Sequence, residues 1–346
     1  MRGLVYHGPQ DVRYEAVPDP ELTASDSAIV RVSLCSICGS DLHPYHTNMG
    51  AIGYCIGHEA VGEVVEIGAD VGRFAVGDRV LLPGSISCGS CPACSRGNAM
   101  LCQRYPYSRV YGQGQPGLGG CQAEAVEVPV ADANLQMLPP GMSDELGVML
   151  TDTLATAWLA AKRARIQPGG SVAVIALGAV GLQCVMAAFA LGAGCVFALD
   201  HLEERRTAAA QLGAIPVWDG AEEVRAPTAG LGVDSVIDAT GGPESARLAV
   251  DLARKGGTIS ILGVPEEFST PFPLLRALAK NLDVALVACS IQAQLPELFT
   301  ALEEGRLDAG TIAGLLTHRM PLAQGPEAYE LFDARRDGVL KVVLTP

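Results

Sequence analysis

Val172-Ala-Val-Ile-Ala-Leu-Gly178-Ala-Val-Gly181 opens the stretch that decides the fold; an apolar run to Leu191, a Gly192-Ala-Gly194 break and Cys195-Val-Phe-Ala-Leu-Asp200 complete it. Its uncharged part, from Val172 to Leu199, has the length to span a bilayer, for which about 20 apolar residues suffice. The glycines argue against a membrane helix, which needs no turns. Gly178 and Gly181 follow a β-branched apolar run, and Gly192 and Gly194 close what comes next, so the stretch reads as strand, tight turn, helix, turn, strand.

In such a unit the turn Gly178-Ala179-Val180-Gly181 lets the backbone approach a pyrophosphate. The helix N-terminus offers it unpaired N–H groups and partial positive charge, and an acidic residue closing the second strand binds ribose hydroxyls. Asp200 stands at that place. The first glycine of the usual G-x-G-x-x-G is Ala176, so the turn must accept a β-carbon, and the bare G-x-x-G also fits an ordinary buried βαβ unit.

The pattern repeats downstream. A charged helix over 203–212 leads to Ile215-Pro-Val-Trp218, and Val233-Asp-Ser-Val-Ile-Asp238 reads as a strand ending in Ala239-Thr240-Gly-Gly242. A helix over 243–254, Gly256-Gly257, the strand Thr258-Ile-Ser-Ile-Leu262 and a last strand over 282–288 follow. Strands alternating with helices demand a parallel sheet, here six-stranded and doubly wound, with its ligand crevice at the carboxyl ends. Thr240, Gly263 and Val264 are expected to line that crevice together with the first turn and Asp200.

The 346 residues suffice for two domains with cores of their own. A net charge of −14 repels phosphate backbones and anionic lipid, which excludes nucleic acid and membrane surfaces as natural partners. The first residues carry no apolar core or cleavage site, so a cytoplasmic protein is expected. In a reducing compartment 11 cysteines read as metal ligands or buried small hydrophobes rather than disulfides.

The strand Ala28-Ile-Val-Arg-Val-Ser-Leu34 runs into Cys35-Ser-Ile-Cys38-Gly39-Ser40-Asp41-Leu-His43, a dense cluster of thiol, hydroxyl, carboxylate and imidazole. Gly57-His58-Glu59 then opens a second half-buried strand. Cys88-Gly-Ser-Cys91-Pro-Ala-Cys94, with Cys102 shortly after, places four thiolates around one point, as a closed tetrahedral zinc site requires. Four thiolates leave no open position, so that metal holds a loop and does no chemistry. Catalysis needs three ligands and an open place. Cys38, His58, Glu59 and Asp152 are the candidates, but their spacing does not assemble them. Cys38 also reads as a buried thiol, His58 as a satisfied core histidine and Asp152 as the N-cap of the apolar helix over 154–164.

In order and interval the whole series resembles the zinc-dependent medium-chain alcohol dehydrogenases over essentially the full chain: Cys38-Gly-Ser-Asp-Leu-His43, Gly57-His58-Glu59, the four-cysteine lobe, Asp152, the Gly178–Gly181 turn and Asp200. The resemblance implies an α/β protein in which a Rossmann-type domain (152–288) is inserted into a partly β-barrel, GroES-like catalytic domain. That domain is formed by 1–151, with the lobe at 86–104, and completed by 289–346, including helices over 295–304 and 323–335 and a strand over 339–344. It implies two zincs per subunit. Cys38, His58 and Asp152 hold the catalytic one, with Glu59 beside it as a transient ligand, and Cys88, Cys91, Cys94 and Cys102 hold the structural one. An Asp in the third place is similar to bacterial members of the family. Ser40 and His43 resemble the family's proton relay, and Asp41 is the expected partner of the other His58 nitrogen. A homo-oligomer, dimer or tetramer, is expected.

The activity implied is reversible hydride transfer between a secondary or primary alcohol and NAD, giving ketone or aldehyde; polyol and formaldehyde-type dehydrogenases share the same motifs. A zinc-ribbon binding module leaves Cys38, His58 and Asp152 without purpose, and a coenzyme-binding protein without chemistry would not keep those ligands. NAD is favoured because a 2′-phosphate would set further negative charge against Asp200. His201, Arg205 and Arg206 are the counter-evidence, since each could reach a phosphate if Asp200 turned away; of these Arg205 is counted among the coenzyme contacts, and the two arginines otherwise read as a solvated helix face. Tyr45, Met49, Tyr105 and Leu118 are guesses for the substrate pocket's walls.

Overall fold

The computed structural model describes residues 1–47, 51–105, 109–115, 117–218, 220–265 and 270–346. They fall into two compact units, Met1–Asp152 with Ser290–Pro296 and Ala309–Pro346, and Thr153–Cys289 with Glu297–Asp308. The sequence reading sends everything after Cys289 back to the first domain. The stretch 297–308 instead belongs with the second unit, where the Glu297 carboxylate accepts from Trp158 Nε1 (3.0 Å) and Lys162 Nζ (2.7 Å).

The second unit is built on a six-stranded, all-parallel sheet in the order Ile215–Val217, Cys195–Leu199, Ser171–Ile175, Val233–Asp238, Ala253–Ile261, Asp283–Leu286. The order reverses between the third and fourth of these, which is where a doubly wound sheet opens its crevice. Its central strands are mostly buried: Val172, Val174, Val196 and Ile237 are fully so, each stabilising the fold by about 1.5–3 kcal/mol. The uncharged stretch of the opening motif is a strand, a helix, Ala179–Ala190, ended by Gly192 at φ +97°, and a second strand, Cys195–Leu199. Among the described residues no helix is long and apolar enough to cross a membrane. The helix that begins at Pro243 stops at Leu252 rather than at Arg254, because Ala253 already starts the next strand.

The first unit carries a seven-stranded sheet in the order Gln136–Met137, Arg79–Leu82, Glu59–Ile67, Ala28–Ser36, Lys341–Thr345, Leu316–Pro321, with Ala125–Val128 also paired to Ala28–Ser36. A three-stranded sheet of Asp11–Ala16, Arg2–Gly8 and Tyr54–Cys55 accompanies it. The last strand, Lys341–Thr345, pairs antiparallel with Ala28–Ser36 through Val343 opposite Ser36, and Ser36 in turn stands opposite Glu59. Three strands distant in sequence therefore end side by side, at the point where Cys38 and His58 emerge.

Candidate active site

Cys38 follows the strand Ala28–Ser36 and caps the 3-10 turn Gly39–Asp41, while His58 immediately precedes the strand Glu59–Ile67. Asp152 lies between the helices Asp144–Leu150 and Thr153–Arg163, in a segment tied to the sheet by Gly84 N–H donating to the Thr151 carbonyl (3.0 Å). Gly84 also lets His58 sit close, since a β-carbon there would lie 3.2 Å from the His58 ring. The three residues converge: Asp152 Oδ2 is 3.4 Å from Cys38 Sγ and 3.2 Å from His58 Nε2. With Glu59 they form a group whose candidate donor atoms all lie within 4.8 Å of one another.

This donor set fits zinc. Bonds of about 2.3 Å to sulfur and 2.0–2.2 Å to nitrogen or oxygen put the donors of a tetrahedral site roughly 3.3–3.6 Å apart. The charges fit too. Burial, then Glu59 and Asp152, push the Cys38 thiol up to about 11. Burial alone would lower His58, but the charges of Asp41 and Cys38 and its contacts to Asp152 and Asp41 outweigh it and hold the imidazole well above its ordinary value. A buried set this rich in negative charge calls for a cation at its centre. The Glu59 Oε1 atom, buried and without a hydrogen-bond partner among the described residues, adds to that demand.

The surroundings fix the donors. Asp41 Oδ1 lies 3.0 Å from His58 Nδ1, which turns Nε2 toward Asp152. Asp41 Oδ2 accepts from Cys38 N–H (3.0 Å) and from the Gln122 amide (3.3 Å). Gln122 Nε2 also donates to the Ser36 carbonyl (3.1 Å), and its Oε1 accepts from Tyr329 O–H (2.9 Å). Gln122 and Tyr329 escaped the sequence reading because neither sits in a motif; their roles come from long-range pairing that no local spacing announces. Ser40 Oγ donates to Cys38 Sγ and lies against His58 Nε2, both at 3.3 Å. His43 is half-buried one helical turn later, in Leu42–His46.

Cys88, Cys91, Cys94 and Cys102 form a second group of the same compactness. Cys91 Sγ is 3.4 Å and Cys88 Sγ 3.9 Å from Cys94 Sγ, spacings that suit four sulfurs around one zinc. Backbone N–H groups point at the sulfurs: Cys88 N at Cys102 (3.4 Å), Cys91 N at Cys88 (3.3 Å) and Gln103 N at Cys91 (3.4 Å). Backbone hydrogen bonds from Cys94 and Gln103 lower the Cys91 thiol to about 6.

At the carboxyl ends of the parallel sheet, Gly178 caps the helix Ala179–Ala190 without a side chain of its own to bond the first-turn N–H groups, the arrangement that suits an anion. Ala176 does take the left-handed conformation (φ +69°), and a β-carbon on Gly181 would lie 1.8 Å from its carbonyl oxygen. Asp200 accepts from Leu177 N (2.7 Å) and Leu202 N (2.9 Å), with Arg205 Nη1 and His201 Nδ1 each 3.6 Å from its carboxylate. Thr240 N and Oγ1 both donate to Asp238 at 2.9 Å, and Gly263 packs so closely on Thr240 that a β-carbon there would meet its backbone at 2.0 Å; exposed Val264 follows. The solvated-face reading of the arginines fails. Arg206 is buried, donates to the Asp200 carbonyl and stacks on Trp218 at 3.6 Å, and Arg205 is 15% exposed.

Of the expected pocket walls, two lie in the core. Tyr45 is buried and stacked on Tyr329 at 5.4 Å, and Leu118 is part of the same core. Tyr105 is half-buried beneath Arg109 at 4.8 Å, and Met49 lies outside the described residues.

Residues 24–139 match the family of the alcohol dehydrogenase GroES-like domain and residues 179–304 the zinc-binding dehydrogenases. A probable zinc-binding alcohol dehydrogenase of Mycobacterium tuberculosis is 40% identical, covering 100% of this chain and 89% of its own. An alcohol dehydrogenase of Cupriavidus necator is 32% identical over 100% of this chain and 99% of its own. The solved alcohol dehydrogenase of Thermus sp. ATN1 superposes with a TM-score of 0.92 at 38% identity, covering 100% of this chain and 99% of that one.

Proposed function

The chain belongs to the zinc-dependent medium-chain alcohol dehydrogenases, and from that premise we propose that it transfers hydride between an alcohol, secondary or primary, and NAD, with Cys38, His58 and Asp152 holding the catalytic zinc. The observation that carries this is the convergence of thiolate, imidazole and carboxylate at 3.2–3.4 Å, too tight for an unneutralised buried set. A second zinc is held by Cys88, Cys91, Cys94 and Cys102.

Bound zinc supplies Lewis acidity, lowering the pKa of a coordinated hydroxyl by several units. The chain's own residues do the rest. Two anionic ligands and a neutral imidazole cancel the ion's charge, and Asp41 keeps His58 in the tautomer that presents Nε2. Ser40 Oγ, 3.3 Å from both Cys38 Sγ and His58 Nε2, accepts the substrate proton as it releases its own toward His43 and solvent. The Gly178–Gly181 turn, with Ala179 and Val180, receives the pyrophosphate, while Thr240, Gly263 and Val264 line the rest of the crevice.

NAD is favoured over NADP. The Asp200 carboxylate, its side chain 1% exposed, is pinned by two backbone N–H groups, so turning it away from a 2′-phosphate would break both bonds. Arg205, already beside Asp200, is better placed to support that carboxylate than to replace it. The first unit is the catalytic domain and the second the coenzyme domain of a cytoplasmic homo-oligomer, dimer or tetramer. Self-association is supported by an apolar face in the second unit: Leu274, Leu275 and Leu278 are exposed on one helix, and Leu286 is exposed on the end strand of the sheet.

Steady-state kinetics with NAD and NADP across secondary alcohols, primary alcohols, polyols and formaldehyde-type substrates tests the reading. A higher kcat/KM with NAD on a simple alcohol is expected. A higher value with NADP overturns the coenzyme choice, and turnover confined to polyols or formaldehyde adducts overturns the substrate choice.

A further inference from the structure

Lys341 is among the largest fully buried side chains of the protein, 1% exposed, and no sequence motif contains it. Its ammonium donates to the Ile37 carbonyl (2.9 Å) and is paired with Glu59 Oε2, which also accepts from Ser36 Oγ. Glu59 itself is fully buried. The arrangement is rigid, because Ser36 faces Glu59 on one neighbouring strand and Val343, two residues beyond Lys341, on the other. One Glu59 oxygen is thus doubly held. The other, Oε1, is buried and has no hydrogen-bond partner among the described residues, next to Cys38, His58 and Asp152.

A carboxylate so close to a three-ligand metal centre poses a problem. Four protein ligands close a zinc site and make it structural, whereas chemistry requires an open place. A buried carboxylate without a counter-charge would find its cheapest compensation in the metal. Something must hold Glu59 back, and the buried cation on its far oxygen is the group that can.

We propose that Lys341 is a positioning residue which, by pairing with Glu59 Oε2 and anchoring on the Ile37 carbonyl, keeps the Glu59 carboxylate off the catalytic metal and so keeps one coordination place open for substrate. This rests on the reading of Cys38, His58 and Asp152 as the catalytic zinc ligands. Ser36 is the second grip on the same oxygen. Removing the lysine shifts Glu59 onto the metal, and if that closed state holds nine-tenths of the molecules, the apparent affinity for any ligand of the open place falls about tenfold.

The test uses the full-length protein with cobalt(II) in the catalytic site, whose visible spectrum reports coordination, and imidazole as the probe of the open place. Wild type should respond to imidazole. Lys341→Met should keep its metal but bind imidazole at least about tenfold more weakly, with a parallel loss of turnover. Lys341→Arg should behave as wild type, and Lys341→Met/Glu59→Gln, which removes both charges, should regain the imidazole response. An unchanged imidazole affinity in Lys341→Met, or no recovery in the double variant, overturns the proposal. If Lys341→Met does not fold, Ser36→Ala carries the test: it should weaken imidazole binding in the same direction, and an unchanged affinity overturns the idea. Cys38→Ser separates the two levels, since a protein that loses Cys38 and still holds the responsive cobalt means that the ligand assignment itself has failed.

Discussion

Alanine at Gly178 and at Gly181 should have separable effects, because the two glycines are required for different reasons. A β-carbon on Gly181 would lie 1.8 Å from the Ala176 carbonyl oxygen and 2.8 Å from its carbon. Relief demands a shift of more than an ångström in a residue already held at φ +69°, whose N–H is bonded to the Leu199 carbonyl at 2.8 Å. Overpacking of this kind costs about 1–3 kcal/mol. The same turn carries the Leu177 N–H that pins Asp200, so the distortion reaches the coenzyme site as well as the fold. Gly178 differs: it has φ −64°, and the nearest atom to its β-carbon would be Arg205 Nη1 at 3.9 Å. The chain alone tolerates alanine there, and only a pyrophosphate lying on the turn would object. Gly181→Ala should therefore melt at a lower temperature and bind NADH at least about tenfold more weakly, which is 1.4 kcal/mol. Gly178→Ala should melt like wild type and lose coenzyme affinity alone. Thermal melts and NADH fluorescence titration measure both. Wild-type NADH affinity in Gly178→Ala, or an unchanged melt in Gly181→Ala, refutes the reasoning.

Three further outcomes are expected. Cys91→Ser should lose one zinc per chain and lower thermal stability, since metal binding energy in such a site is folding energy; full zinc content by elemental analysis would contradict a structural role. Ser40→Ala should slow alcohol oxidation, positioned acid–base groups being worth about 10²–10⁴-fold, and should change its pH profile, whereas an unchanged rate and profile would mean that the proton leaves by another path. Burial pushes the Asp234 carboxyl up, but the Ser171 N–H, the Arg254 guanidinium and the Ser171 hydroxyl outweigh it and hold it at about 2. This depressed carboxyl stabilises the fold above the ordinary carboxylate range, and the contribution is lost as pH falls through about 2. Melts between about pH 4 and 2 should therefore fall more steeply for wild type than for Asp234→Asn, and parallel curves would refute it.

The parts of the fold and site written in local spacing were the legible ones. Gly178 with Gly181, and Cys88 with its three neighbours, declare themselves because a tight turn and a compact metal loop are built from adjacent residues. The six parallel strands follow from apolar runs alternating with helices. What pairs across the chain was invisible. Lys341 reads as one charged residue within a final strand, and only the ladder to Ser36 and Glu59 brings it beside Cys38. Gln122 and Tyr329 support Asp41 over long sequence intervals. Arg206 carries the charge of a surface residue but lies buried, because Trp218 covers its guanidinium while the Asp200 carbonyl accepts from it. Tyr45, placed by its neighbourhood on the pocket wall, went into the core because its ring stacks on Tyr329.

Zinc content of wild type and Cys38→Ser, measured together with NADH binding, tests the central claim most directly. Two zincs per chain are expected in wild type and one in the variant, which should fold, bind NADH normally and turn over no alcohol. A wild type with a single zinc, or a Cys38→Ser protein that keeps both, would contradict it.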